Sequence, residues 1–206
     1  MNTTPPPAIP STPGSGDARR VLLGASLLFA VLLVGGGWLL LAIKGRTIVD
    51  PFATTRVWQR VASGAAVGAV TAMLCAFAVR RVSALARLEH LARHAMEGIE
   101  PRWHTLLTIA LLAGVGEEFF FRGALEPMVG RWVTAAGFVA MHGALRVRNR
   151  GGLTFAVFLA AASIGLSAVN AWNGLESAMS AHASYDFAML LWLSRRPPLT
   201  PGNSTH

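Results

Sequence analysis

Residues 103–127 read WHTLLTIALLAGVGEEFFFRGALEP. Apolar arms flank Glu117, Glu118 and Arg122, three charges placed where lipid or a dry core belongs. The arms predict a helix from about Thr105 to Glu126. Pro127 is expected to break it, because proline lacks an N–H and its ring clashes with the preceding turn. A run of this length is a candidate membrane span. Ionisable groups at the bilayer centre cost ~2.5–3.5 kcal/mol each on insertion scales. A helix that only packs would carry leucine there.

The rest of the chain has the same character. Of 206 residues, 53% are hydrophobic and 14% charged, against about 25% charged in a soluble domain. The net charge of +8 sits in short clusters between apolar runs, which is how membrane topology is set. No basic folded domain exists to bind nucleic acid. The single cysteine, Cys75, excludes a disulfide framework and reads as a small packed hydrophobe. Seventeen of the eighteen basic residues are arginine, a bias that points to a GC-rich bacterial genome.

Outward from the opening stretch, the sequence predicts an all-α polytopic membrane bundle of about six transmembrane helices. Residues 1–18, rich in Pro, Ser, Thr and Gly, read as a disordered cytoplasmic tail. A single transmembrane domain follows over 19–194, and residues 195–206 form a second disordered tail. The spans fall at 21–43, about 61–79, 105–126, 132–146, 152–169 and 171–193. The 23 apolar residues of 21–43 are too long for a signal-peptide core and read as uncleaved. Gly35, Gly36 and Gly37, and the Gly64/Gly68 pair, suit close helix approach. Glu126 and Glu176, at span ends, are expected to be solvated. Residues 82–100 place Leu85, Leu88, Ala92, Ala95 and Ile99 on one helical face, as an amphipathic helix lying in the headgroup region would. His90 and His94 within it read as interfacial, since two histidines without a third ligand do not make a zinc site.

Charge asymmetry orients the bundle. With the N-terminus inside, twelve arginines fall on inner segments, including Arg80, Arg81, Arg195 and Arg196; six basic residues fall outside or within the membrane. Both termini then face the cytoplasm.

Further ionisable residues join the first three: His142 in span four, and His182 and Asp186 in span six. Glu118 and Arg122 are four apart and can neutralise one another, as can His182 and Asp186. Glu117 and His142 have no partner on their own helices. At ~1.5 Å per residue, Glu117 lies roughly 18 Å from the inner start of its span. His142 and His182 lie roughly 15 and 16 Å from the outer starts of theirs. In a core about 30 Å thick, all three fall near the midplane. Neutral Ser, Thr or Asn would glue helices at lower cost, so a functional polar centre is the better reading.

Glu117-Glu118-x-x-x-Arg122, then Phe138-x-x-x-His142, then His182-x-x-x-Asp186, resemble in order the three motifs of the CPBP family, the CAAX prenyl endopeptidases and bacteriocin-processing and self-immunity membrane proteins. The match covers about 105–193. The resemblance implies an intramembrane endopeptidase acting on a membrane-anchored protein or peptide, and the arginine bias makes a bacterial inner membrane the expected location. Glu117 would activate water and His142 would hold it. Glu118 and Arg122 would form a supporting ion pair, and Phe138 would be a further supporting residue. His182 and residue 186 would polarise the substrate carbonyl and stabilise the oxyanion. A low-dielectric surrounding makes a carboxylate a stronger base, and fixed donors are effective in a dry site.

One position departs from the pattern. Many members carry Asn where this chain has Asp186, which donates to an oxyanion only when protonated. Asp186 could instead orient His182, or ligate a metal with the histidines and Glu117. No obligatory cofactor is expected; the alternative is a divalent metal held by Glu117, His142 and His182. Two other functions compete: a non-catalytic scaffold or immunity factor with the same fold, and a proton-coupled carrier. The carrier lacks the inverted-repeat, broken-helix signature.

Overall fold

The computed structural model describes residues 15–52, 55–81, 89, 93, 102–144 and 150–196. Among them every regular element is helical: α1 (Ser15–Ile43), α2 (Val57–Arg81), α3 (Trp103–Val129), α4 (Arg131–Met141), α5 (Arg150–Asn173) and α6 (Leu175–Ser194). The amphipathic helix expected over 82–100 lies outside the described residues, Glu89 and Arg93 apart, as do most of the two expected tails.

Among the described residues, four helices are long and apolar enough to cross a membrane: α1, α2, α3 and α5. The expected fourth span, 132–146, is shorter in the structure. The α4 helix has 11 residues, about 16 Å, and stops at His142 before Gly143 turns left-handed at φ +69°. The α6 helix, 20 residues long, could reach across but is more polar than the other four. Its position explains that composition. It packs most extensively against α2 and α3, with α5 on a third side, so its polar residues face protein rather than lipid. The outward surfaces of α1 and α2 carry exposed Leu28, Leu32, Met73 and Phe77.

Small residues bring α6 close to its neighbours. A side chain at Gly64 would run into the Ser177 carbonyl, and one at Gly68 into that of Ala181. Ser184 Oγ then donates 3.0 Å to the Ala65 carbonyl across the same seam. On the other side, a Cβ at Gly114 of α3 would lie 2.8 Å from the Ala183 nitrogen. This small-xxx-small packing is how helices associate where lipid removes the hydrophobic drive between them. The α1 helix closes over α3 in the same manner, with Gly37 against the Phe119 ring and Gly36 against that of Phe120.

Pro127 does not end α3. The helix widens into a π-helical segment over Phe119–Leu125 and resumes as one α turn, Glu126–Val129. It terminates at Gly130, whose φ of +81° only glycine adopts freely. Residues in π-geometry bond i→i+5, which relieves the i−4 carbonyl that the proline ring would otherwise strike.

Candidate active site

Gly130 folds α4 back beside α3, and Gly174 (φ +86°) folds α6 back beside α5. The two hairpins bring all three motifs together. Glu117 and Glu118 are the last residues before the π segment, Arg122 lies inside it, His142 caps α4, and His182 and Asp186 lie on successive turns of α6. π-turns inside helices occur frequently at functional sites.

At the centre is an ion pair sealed from solvent. Arg122 and Glu118 have no exposed side-chain surface, and Nε lies 3.2 Å from Oε2. Nη1 donates to Oε1 at 3.2 Å, while the Nε contact is ionic rather than an aligned hydrogen bond. Nη2 donates to the Ser163 carbonyl (2.8 Å) and to Ser163 Oγ (2.9 Å) on α5. The guanidinium also stacks over Phe138, 5.1 Å from its centroid. Attraction offsets the desolvation of a buried ion pair better when further hydrogen bonds support it, and Ser163 supplies two of them to Nη2. Ser163 and the π segment are the parts that sequence reasoning missed. A serine within the apolar run VFLAAASIGLS was the available signal.

Glu118 Oε1 also meets His182 Nδ1 at 2.8 Å. The other ring nitrogen, Nε2, lies 3.3 Å from Asp186 Oδ2. An imidazolium satisfies both carboxylates; a neutral ring satisfies one. The sequence-predicted pairs Glu118/Arg122 and His182/Asp186 thus both form, and Glu118 joins them.

Glu117 faces the other way. Its side chain is buried, and Oε2 has no hydrogen-bond partner among the described residues. The nearest charged or chargeable nitrogen is His142 Nε2 at 3.7 Å, beyond a direct hydrogen bond. His142 Nδ1 lies 2.9 Å from the Phe138 carbonyl. A carbonyl only accepts, so Nδ1 carries the proton and a neutral ring presents Nε2 as an acceptor. The His142 ring packs on Phe138 at 4.4 Å between centroids and is 27% exposed, which marks the open side of the site.

The donor set for the alternative metal is Glu117, His142 and His182. Both nitrogens of His182 are taken by carboxylates, and no group of three His, Cys, Asp or Glu side chains among the described residues is arranged to hold a metal ion. These residues, as arranged, do not fit a metal. Two further acids differ from expectation. Glu176 is buried at the start of α6, and Glu126 accepts from Ser167 Oγ at 2.5 Å, so neither is a solvated span-end residue.

Residues 99–188 match the family model described as type II CAAX prenyl endopeptidase Rce1-like, and all three motifs fall within them. No curated protein and no solved structure matched the chain. The match agrees with the CAAX-protease resemblance of the motifs. With four apolar helices of spanning length, the chain is an integral membrane protein.

Proposed function

Proceeding from an Rce1-like domain over residues 99–188, we propose that this protein is an intramembrane endopeptidase in which Glu117 activates water without an obligatory metal. One observation carries the reading: a buried carboxylate oxygen with no donor faces a histidine acceptor at 3.7 Å. A water lying off the line between them can give one proton to Glu117 Oε2 and the other to His142 Nε2. Its lone pair is then free for a substrate carbonyl, within the reach general-base catalysis requires. Glu117 takes the proton as the water oxygen bonds to the carbonyl carbon. The same carboxyl returns that proton to the leaving amine as the C–N bond breaks.

His182 is the donor for the oxyanion. Its contact to Asp186 is the longer of its two, 3.3 Å against 2.8 Å. The Nε2–H can therefore turn from Asp186 to the carbonyl oxygen while Nδ1–H stays on Glu118. Donors fixed in a dry site are effective where negative charge develops. The substrate is a membrane-anchored protein or peptide bearing a leader or a C-terminal sorting segment. Six crossings of a bacterial inner membrane leave both termini in the cytoplasm.

The test compares membrane proteomes of cells carrying wild type and Glu117→Gln for altered protein termini. Loss of one set of termini, with the variant still inserted and folded, is expected. Identical termini would sink the hydrolytic reading. They would favour a scaffold with the same fold, for which the engagement of both His182 nitrogens by carboxylates is the supporting observation.

A further inference from the structure

The α2 and α6 helices run side by side and finish at the same end of the bundle, where arginines converge on one indole. The Arg80 guanidinium lies 5.8 Å from the Trp192 ring centroid and that of Arg196 lies 4.3 Å from it. Arg81 covers Phe77 at 4.9 Å, and Arg195 caps α6. Arg80, Arg81 and Arg195 are exposed. Of the acids described here, Glu89 reaches the cluster, 3.4 Å from Arg196 Nε, and it also pairs with Arg93.

Cations at helix C-termini are ordinarily explained by the macrodipole. Two helix ends supply about one negative charge between them. Among the described residues of this end, Arg80, Arg81, Arg195 and Arg196 stand against Glu89. After the dipoles are counted, about two positive charges are left over. Like charges gathered on one indole repel unless an anion sits between them. A tryptophan at the end of a transmembrane bundle belongs at headgroup level, where the anion within reach is a lipid phosphate.

We propose that this end of the bundle, centred on Arg80, Trp192 and Arg196, binds the phosphate group of an anionic phospholipid. Guanidinium forks match phosphate geometry, while the exposed apolar side chains of α2, Phe77 among them, accompany the acyl chains. The site is separate from the polar centre and does not depend on proteolysis.

The experiment uses the full chain in neutral detergent, with lipid retention read by native mass spectrometry and thermal unfolding read in parallel. The probes are phosphatidylglycerol, phosphatidylcholine and inorganic phosphate. Phosphatidylglycerol should be retained in preference to phosphatidylcholine and should raise the melting temperature, with inorganic phosphate at equal concentration giving no rise. Arg80→Gln with Arg196→Gln should weaken retention roughly fivefold per arginine. Lys44→Gln with Arg56→Gln, which remove the same charge from the connection between α1 and α2, should leave retention unchanged. Should Arg80→Gln with Arg196→Gln fail to fold, the exposed pair Arg81→Gln and Arg195→Gln serves in its place. Equal retention of the two lipids, equal protection by inorganic phosphate, or equal loss in the Lys44 and Arg56 pair would each overturn the proposal.

Discussion

His182 Nε2 lies 3.3 Å from Asp186 Oδ2, one helical turn further along α6. That carboxylate holds the ring on the side away from Glu118 and competes with any other acceptor for the same N–H. Asp186→Asn keeps the shape and a hydrogen-bonding group while removing the charge. The variant should fold normally, with a stability change below about 1 kcal/mol, because the side chain is part-exposed and screened. Under the proposed mechanism its cleavage rate should equal or exceed wild type. A loss of a hundredfold or more, with an unchanged melt, would show that the Asp186 charge acts directly.

Arg122 and Glu118 call for a double-mutant cycle. Arg122→Met leaves the fully buried Glu118 carboxylate with His182 alone, a loss of about 3–5 kcal/mol by analogy with other broken buried pairs. Glu118→Gln with Arg122→Met removes both charges and should recover a large part of that loss. Chemical denaturation in mixed micelles measures the coupling. Simple additivity would mean that the two residues do not act as a pair.

Gly68→Ala should be more harmful than its single methyl suggests. The new Cβ meets the Ala181 carbonyl, a backbone atom, so α2 and α6 must separate. Overpacking typically costs about 1–3 kcal/mol. Ala181 precedes His182, so the ring moves with the seam. A lowered melting temperature together with reduced cleavage is expected. Gly24→Ala, where nothing lies within 4 Å, should change neither.

Ser163→Ala removes one of two acceptors for Arg122 Nη2 and leaves the carbonyl at 2.8 Å. A hydrogen bond to a charged group contributes about 1.5–3 kcal/mol, and the surviving carbonyl should hold the loss to the lower end. Thermal melts decide it. An unchanged melting temperature would show that the carbonyl alone satisfies the guanidinium.

Much of this architecture was legible in the sequence, for reasons that differ by feature. Spacing of four residues on a helix is geometry, so the Glu118/Arg122 and His182/Asp186 pairs were readable before any coordinates. The approach of Glu117 to His142 and of Glu118 to His182 was readable because helical rise is nearly constant. Glycine pairs announced the close seams, since in lipid little else lets backbones approach. What escaped notice depends on three-dimensional company. Pro127 was expected to break α3, but a proline is tolerated where the preceding turn has widened, and no composition signals a π segment. The short α4 resembles a span in sequence because apolar residues continue past Met141, while Gly143 turns the backbone. Glu176 sits at a helix start yet is covered by neighbours that no local pattern reveals. Ser163 looked like one more small residue in an apolar run.

The Gly130 turn makes the α3–α4 hairpin behave like a pair of calipers. Glu117 stands thirteen residues before the pivot and His142 twelve after it, and the jaws meet only because the two arms are matched. Adding or deleting one residue in either arm swings one jaw by about 100° and slides it about 1.5 Å. Length changes should therefore be tolerated in the Lys44–Arg56 connection and be fatal between Glu117 and His142, unless each arm is altered in step with the other.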